Sequence, residues 1–306
     1  MIDVSMEGIA KTYPTAMRPA VEDISFSVPK GELFGLIGPD GAGKTTIFRI
    51  LTTLILADKG HATVNGSDVV KDYLAIRRKV GYMPGRFSLY QDLTVEENLN
   101  FFATVFNTSI AENYDLIRDI YEQIVPFKKR RAGHLSGGMK QKLALSCALI
   151  HRPEVLFLDE PTTGVDAVSR KEFWGMLGKL KQEGITILVS TPYMDEAQLC
   201  ERIALLQEGR ILSINTPAGI VSDYPDALWA IKADNMIRLL ADLRATEWVR
   251  SINAFGEYHH ISLENENDYA LEALLEYLRF SGHTHVEVHR VVPSVEDCFI
   301  RLMGNV

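Results

Sequence analysis

The chain has 306 residues, 46% of them hydrophobic and 24% charged, a composition typical of a globular protein rather than a disordered or fibrous one. Its 32 basic and 40 acidic side chains give a net charge of −8, which argues against a broad nucleic-acid-binding face. Three cysteines are too few for a disulfide framework, and no stretch approaches the ~18 consecutive apolar residues of a membrane span. The N-terminus lacks the pattern of a signal peptide. We therefore expect a reduced, cytosolic protein of about two domains, at roughly 100–200 residues per domain.

The first third of the chain mixes strand and helix patterns. Apolar and polar residues alternate through the first thirty residues, most clearly over 21–28, which predicts strands. A short apolar run over 33–38 ends in a glycine, and a helical pattern follows over 44–55. We predict a further strand over 76–84.

The middle of the chain continues this alternation. From about 92 to 150 the pattern is helical, and it opens with a capping box formed by Thr94 and Glu97. Two strands, over 155–159 and 185–190, flank a helix over 168–182. Strands that alternate with helices of this length predict a largely parallel sheet covered on both faces.

The pattern changes after a segment with two prolines, residues 217–226, which we interpret as a linker. Beyond it we predict, in order, a strand over 227–233, a helix over 235–246, a hairpin over 249–264, a helix over 269–280, a strand over 285–291 and a terminal helix. This order is typical of a small two-layer α+β domain. The predicted domains are therefore 1–217, with a helical subdomain at about 86–150, and 218–306.

A glycine-rich loop joins the apolar run that starts at residue 33 to the next helix. It matches the pattern G-x-x-x-x-G-K-[ST], in which glycines let backbone N–H groups converge on phosphate oxygens at a helix N-terminus. We expect Lys44 to neutralise the β- and γ-phosphates and Thr45 to offer its hydroxyl to Mg²⁺. The predicted nucleotide-binding residues of this loop are Gly38, Pro39, Asp40, Gly41, Ala42, Gly43, Lys44, Thr45 and Thr46. Asp40 is unusual, because it places a carboxylate in a loop that holds anions.

An acidic pair follows the strand over 155–159. Asp159 is predicted to hold Mg²⁺ through water, and Glu160 is predicted to be the catalytic base that accepts a proton from the attacking water. An acidic pair after a strand is usually a solvated edge, but next to a phosphate loop it indicates phosphoryl chemistry.

Between these motifs, the segment 135-LSGGMKQKLALSCAL resembles the signature motif of ATP-binding cassette (ABC) ATPases. The matching positions are Leu135, Ser136, Gly137, Gly138 and Gln141. The resemblance covers about residues 1–215. It implies a head-to-tail dimer with two ATP molecules and Mg²⁺ between the subunits, in which each signature loop contacts the γ-phosphate held by the other chain. A Ser-Gly-Gly helix N-terminus is a second anion site, which supports this arrangement.

The resemblance assigns further positions and the fold. It implies a P-loop ABC cassette, an α/β fold with a mostly parallel sheet, an antiparallel β subdomain and a helical subdomain. Tyr13 matches the aromatic residue that stacks on adenine, although an exposed tyrosine at a strand end is the alternative interpretation. Asp166 matches the loop that crosses the dimer interface. The tail 293–304 resembles ATPases of type-two ABC exporters of drugs and polysaccharides, which commonly carry a small C-terminal α+β domain.

Two catalytic positions depart from the family pattern. Where the family has a glutamine that senses Mg²⁺ and water, near the contact with the membrane partner, this chain has Gly85. Gln91, six residues on, cannot substitute unless the loop is rebuilt. Where the family has a histidine on the γ-phosphate, this chain has Pro192. Losing a positioned polar or acid–base group typically costs ~10²–10⁴-fold in rate. We therefore expect the chain's own ATP site to be degenerate, and either slow or limited to binding.

These features predict an ATPase subunit of an ABC exporter, peripheral on the inner face of the cell membrane through a separate permease. Because the signature loop is intact, we favour a heterodimer with a second ABC ATPase over a homodimer. The alternative is a non-hydrolytic regulatory module that completes a partner's site. A soluble ABC ATPase acting on DNA or ribosomes is disfavoured, since no duplicated cassette, coiled-coil insertion or zinc motif occurs. The cargo and the role of residues 218–306, in dimer stabilisation or regulation, stay open. The histidine pairs His259/His260 and His283/His285 lack the spacing and co-ligands of a metal site.

Overall fold

The computed structural model describes residues 1–265 and 268–304. The chain divides into two compact units, Met1–Pro217 and Ala218–Gly304, and each is described by itself. The strands of the first unit are β1 (Ile2–Lys11), β2 (Val21–Pro29), β3 (Leu33–Ile37), β4 (Lys59–Val64), β5 (Ser67–Asp68), β6 (Val80–Met83), β7 (Val155–Asp159), β8 (Thr186–Thr191), β9 (Arg202–Gln207) and β10 (Arg210–Asn215). Its helices are α1 (Lys44–Leu51), α2 (Tyr73–Lys79), α3 (Val95–Val105), α4 (Tyr114–Tyr121), α5 (Gly137–Leu149) and α6 (Ala167–Gln182), and short 3₁₀ turns span Val125–Phe127, Ala132–His134 and Met194–Leu199.

Two sheets form the first unit. One is a four-stranded antiparallel sheet in the order β2-β1-β4-β5. The other has six strands in the order β10-β9-β3-β8-β7-β6, all parallel to their neighbours except the edge strand β10. The predicted fold class, a mostly parallel sheet with an antiparallel β subdomain and a helical subdomain, is confirmed.

The register of the parallel sheet places several polar residues at one edge. Ile37 at the end of β3 lies opposite Thr191 of β8, and Ser190 of β8 lies opposite Asp159 of β7. Because parallel strands end at the same edge, the loops that follow β3, β7 and β8 converge there. This convergence positions the candidate site.

Apolar packing covers these strands on both faces. Every residue of β3 and β7 is buried, which suits a strand covered on both faces. Phe48 of α1 makes an edge-to-face contact with Phe157 of β7, with ring centroids 5.7 Å apart. Burying one such side chain contributes about 1.5–3 kcal/mol, so α1 is anchored directly behind the glycine-rich loop.

The strand predicted over 76–84 is wrong in its first part. Residues up to Lys79 belong to helix α2, and only Val80–Met83 form strand β6. Three basic residues, Arg77, Arg78 and Lys79, end the helix, where they interact favourably with its dipole. Strand β4 is not predicted by the sequence pattern, because its first three residues are exposed and its apolar and polar residues alternate only weakly.

The helical region predicted over about 92–150 consists of α3, α4 and α5 with turns between them. Its predicted capping box is confirmed. The Thr94 hydroxyl oxygen accepts a hydrogen bond from the Glu97 N–H at 3.2 Å, and the Glu97 carboxylate accepts one from the Thr94 N–H at 2.8 Å. Such a pair satisfies two backbone donors at a helix start.

The second unit has an antiparallel sheet with helices. Its elements are α7 (Pro217–Ser222), β11 (Leu228–Lys232), α8 (Met236–Arg244), β12 (Val249–Phe255), β13 (Tyr258–Leu263), α9 (Asp268–Phe280), β14 (Glu287–Val291) and α10 (Val295–Met303). The strand order is β12-β13-β11-β14. The observed elements follow the predicted order, and their ends agree within two residues. Helix α7 occupies the start of the predicted linker. It begins at Pro217, and proline is well tolerated at the first position of a helix.

The histidines of the second unit are held by protein groups. His259 is buried and hydrogen-bonded through Nε2 to the Met236 carbonyl at 2.9 Å, whereas His260 contacts an Asp297 carboxylate oxygen through Nδ1 at 2.8 Å. Across residues 1–265 and 268–304, no cluster of three or more histidine, cysteine or acidic side chains could bind a metal ion.

The cysteines are buried as free thiols. Burial raises the pKa of Cys147 and of Cys200, and it raises the pKa of Cys298 to about 11. In the described part of the chain, no helix has the length and apolar character needed to cross a bilayer.

Candidate functional site

The glycine-rich loop fits tightly between its neighbours. A Cβ added to Gly38 would lie 2.3 Å from the Leu206 carbonyl oxygen, and one added to Gly43 would lie 2.6 Å from the Ala20 carbonyl oxygen. Gly43 also has φ of 102°, a conformation that side-chain-bearing residues rarely adopt. Only glycine therefore allows the loop to turn from β3 into α1 at these two positions.

Lys44, the first residue of α1, is buried with its charge compensated. Its side chain is 3% exposed, and its Nζ donates to the carbonyls of Gly38 at 2.8 Å and Pro39 at 3.0 Å. The third partner is a carboxylate oxygen of Glu160 at 3.1 Å. A buried ammonium needs such partners, and here they hold it inside the curve of the loop.

The acidic pair after β7 is ordered by a serine that the sequence analysis did not single out. Ser190, on β8, donates to a carboxylate oxygen of the buried Asp159 at 2.7 Å. The Ser190 hydroxyl oxygen also accepts a hydrogen bond from the Glu160 N–H at 3.0 Å. Glu160 itself has φ of 49°, a strained value for a non-glycine residue that often marks functional sites.

These residues fit a nucleotide with Mg²⁺. Within the described residues, the second carboxylate oxygen of Asp159 accepts no hydrogen bond, which leaves it available to a water or cation. Thr45 and Thr46 lie in the first turn of α1, where backbone N–H groups have no partner within the helix. A buried lysine, open N–H groups and a free carboxylate oxygen are the groups that Mg²⁺ and triphosphate need. Asp40 and Gly41 are exposed at the tip of the loop, and Ala42 is buried beneath it.

Tyr13 lies near the same helix start. It follows β1 by two residues, and its hydroxyl is 3.4 Å from the Thr46 hydroxyl oxygen. The side chain is half-buried, which fits the adenine-stacking position better than a freely exposed strand end. Its role in stacking stays a prediction.

The two departures from the family pattern lie at the ends of β6 and β8. A Cβ added to Gly85 would be 3.1 Å from the Asp159 carbonyl oxygen, so residue 85 lies beside the acidic pair. Gln91 instead contacts Gly133, whose N–H donates to the Gln91 carbonyl at 2.9 Å. Pro192 directly follows β8 and has no side-chain donor.

A buried glutamate, which the sequence analysis also missed, stabilises the segment around Pro192. One carboxylate oxygen of Glu196 accepts hydrogen bonds from the hydroxyls of Thr191 at 2.6 Å and Thr162 at 3.0 Å. These bonds tie the loop after β8 to the loop after β7.

The signature residues lie at the start of α5. Ser136 is the N-cap and its hydroxyl oxygen accepts from the Met139 N–H at 3.4 Å, while Gly137 is exposed at the helix start and Leu135 is buried. Asp166 caps the neighbouring helix α6, and Gly138 packs against that cap. Within the described residues, no hydrogen bond or ion pair joins residues 135–138 to the glycine-rich loop. The signature loop and the phosphate loop therefore lie at two separate helix N-termini, those of α5 and α1.

Gln141, the last signature position, lines an apolar cavity of about 320 Å³ between the end of β6 and helices α3 and α5. Tyr82 is in its wall, and burial together with the charge of Asp159 raises the pKa of Tyr82 to about 12. Leu54 lines the cavity and is exposed, and further exposed apolar side chains lie within a few residues of its lining in sequence, among them Leu56, Tyr73, Leu74, Tyr90, Phe101 and Val105.

Comparisons with known proteins show the family to which the chain belongs. The family model described as ABC transporter matches residues 21–163. The chain is 38% identical to the doxorubicin resistance ATP-binding protein DrrA of Mycobacterium tuberculosis, over 98% of this chain and 93% of DrrA. A solved dimeric ATP-binding cassette, in a post-hydrolysis state with ADP and Pi, is 25% identical with a TM-score of 0.64, and the match covers 70% of this chain and 98% of that one.

A longer relative also matches. The chain is 37% identical to the probable multidrug ABC transporter ATP-binding protein YbhF of Escherichia coli, over 99% of this chain but 52% of YbhF. The chain therefore spans about half the length of that relative.

Proposed function

The chain belongs to the family of ABC transporter ATP-binding proteins, and we propose that it is the ATP-binding subunit of an exporter. The observation that carries the proposal is the phosphate loop beside an acidic pair, joined by the ion pair of Lys44 and Glu160 at 3.1 Å. Relatives named for multidrug transport and doxorubicin resistance support the export direction. ATP binding would close a dimer and hydrolysis would reopen it, which drives a separate membrane permease from the cytosolic face.

The Lys44–Glu160 ion pair gives each residue a role when ATP binds. A triphosphate carries more negative charge than one carboxylate, so its oxygens can replace Glu160 and the two carbonyls as partners of the lysine. Glu160 is then released and acts as the base for the attacking water. Thr45 and Asp159 would hold Mg²⁺, which would supply charge neutralisation, and Ser190 keeps Asp159 oriented.

Two positions support slow turnover at this chain's own site. Gly85 lies beside Asp159 but has no side chain to hold a water. Pro192 has neither a donor nor a titratable group at the end of β8. In this proposal the chain keeps the groups that bind ATP and lacks two groups that assist hydrolysis.

The intact signature loop supports a heterodimer. In the proposed arrangement Ser136, Gly137 and Gly138 complete the competent site of a different ABC ATPase, while this chain's own loop holds ATP for longer. A homodimer would place the weakened groups in both sites. The second candidate function is a regulatory module that never hydrolyses ATP. Gly85 and Pro192 are compatible with that function as well.

Glu160→Gln tests which function applies. In the complex with the partner ATPase and permease, we expect this change to alter ATP turnover less than twofold, because the competent site is the partner's. The equivalent glutamine in the partner should lower turnover by about 10²-fold or more. Measuring phosphate release by the chain alone, by the complex and by each variant separates the cases. Robust cooperative hydrolysis by this chain alone would refute the degenerate site.

We propose that the apolar cavity beside β6 receives a cytosolic segment of the permease. Its wall includes Tyr82, close enough to Asp159 for that charge to raise the tyrosine's pKa. Leu54, which lines the cavity, is 54% exposed, as expected for a surface that a partner covers. A permease segment docked there would lie next to Gly85 and the acidic pair.

Leu54→Asp should disrupt this docking. Leu54 lines the cavity and is 54% exposed, so a carboxylate there would have to be buried unpaired beneath the permease. With an affinity-tagged chain and its own co-expressed permease, we expect about a tenfold or greater loss of recovered permease. Leu199→Asp is the matched control, since Leu199 is 51% exposed and lies outside this cavity. Equal recovery of the permease with both variants would rule out the cavity as the docking site.

A further inference from the structure

The signature loop and the interface loop of one chain are in close contact. A Cβ added to Gly138 would lie 2.7 Å from the Ser169 Oγ and 3.0 Å from the Ser169 Cβ. A Cβ added to Gly137 would lie 3.3 Å from the carbonyl oxygen of Gly164. Position 138 therefore needs glycine because Ser169 of α6 leaves no room for a side chain, whether or not a ligand is bound.

Ser169 is itself held in place by the cap of α6. One carboxylate oxygen of Asp166 accepts from the N–H groups of Val168 at 3.1 Å and Ser169 at 3.0 Å, and the other accepts from the Ser169 hydroxyl at 2.8 Å. The hydrogen bonds from Ser169 and Val168 lower the pKa of Asp166 below its usual value, so the carboxylate stays charged. The Ser169 hydroxyl is thus held by its hydrogen bond to Asp166, and the side chain stays in one position opposite Gly138.

A second contact joins the same two helices farther along. Lys142 of α5 forms an ion pair with Glu172 of α6 at 2.7 Å, and the lysine side chain is only 13% exposed. Together with the Gly138–Ser169 contact, this pair fixes the starts of α5 and α6 relative to each other. The N-terminal parts of the two helices are therefore joined by contacts at two points.

We propose that Ser169 is a positioning residue for the signature loop. The attraction between a helix N-terminus and an anion falls off within the first turn. The backbone N–H groups of the signature loop must therefore lie within hydrogen-bond distance of the phosphate. A displacement of about 1 Å in such a contact can cost about 10²-fold in rate. Ser169 sets that placement by limiting how far Gly138 can approach α6. This inference rests on the proposed function, because it requires the signature loop to act on a nucleotide held by another chain.

A double-variant experiment in the assembled complex tests the proposal. Gly138→Ala should lower ATP turnover by about 10²-fold, because the new methyl group pushes the loop off Ser169. Adding Ser169→Gly removes both atoms that the methyl group meets, and should restore at least about tenfold of the loss. Ser169→Ala alone should lower kcat by about tenfold without changing KM. Ser294→Ala, which removes a similar serine–aspartate cap on α10, is the control and should leave turnover unchanged.

Binding of trinitrophenyl-ATP to this chain's own phosphate loop reports folding and should be the same in every variant. If Gly138→Ala lowers turnover but Ser169→Gly does not rescue it, Ser169 does not position the loop, and the proposed function still holds. If Gly138→Ala leaves turnover unchanged, the contact with Ser169 does not set the loop and the inference fails, whereas Gly137→Asp tests the proposed function separately.

Discussion

Gly137→Asp in this chain is expected to stop ATP turnover by the assembled complex while its own phosphate loop still binds ATP. Gly137 is the first residue of α5 and is exposed at the helix start, where the proposed partner nucleotide would meet it. A carboxylate there repels the γ-phosphate and replaces an attractive helix end with a like charge. Removing one such anion-stabilising contact typically costs about 10²–10³-fold in kcat.

The protein should fold normally with this change, because acidic residues stabilise the first turn of a helix. Phosphate release by the complex measures the loss, and trinitrophenyl-ATP binding to the isolated chain serves as the folding control. The same aspartate in the partner's signature loop should have a much smaller effect, since that loop serves the weakened site. Unchanged turnover with Gly137→Asp would show that no other chain's nucleotide depends on this loop.

Restoring both missing groups, with Gly85→Gln and Pro192→His together, should raise ATP turnover by the purified chain by about 10²-fold or more. Position 85 is suitable, because a Cβ there lies 3.1 Å from the Asp159 carbonyl and the loop needs to shift only by tenths of an ångström. Position 192 is suitable because its turn is held by other groups. The Thr191 hydroxyl donates to Glu196 at 2.6 Å and accepts from the Tyr193 N–H at 3.1 Å, so the turn does not depend on proline.

Glu160→Gln added to the restored chain should remove the gain, which shows that the new turnover uses this site. Each single restoration should give less than the pair, since glutamine and histidine act on the same water and phosphate. The measurement is phosphate release at saturating ATP and Mg²⁺. A restored chain that binds ATP but gains no rate would show that these two positions are not what limits its turnover.

Motifs that are continuous in sequence were predictable because their geometry is local. The loop from Gly38 to Thr45 joins a buried strand to a helix as its glycines, lysine and threonine indicate, and the Thr94 capping box forms as its spacing predicts. The error over 76–84 has a local cause as well. Three consecutive basic residues end a short helix there, and only the residues that follow them have the apolar pattern of a strand.

The sequence by itself determined the family, the phosphate loop, the acidic pair, the signature loop and the two departures at Gly85 and Pro192. Only the tertiary structure decided which of these groups meet. The sheet order brings Ser190 to Asp159 and Glu160 to Lys44, and the packing of α5 on α6 brings Ser169 to Gly138. The residues of each pair are separated by 31 to 116 positions in the chain, and no local propensity encodes a contact over such a separation. Their physical origin is the burial of apolar strands and helices, which fixes where each loop ends and which polar side chains it places together.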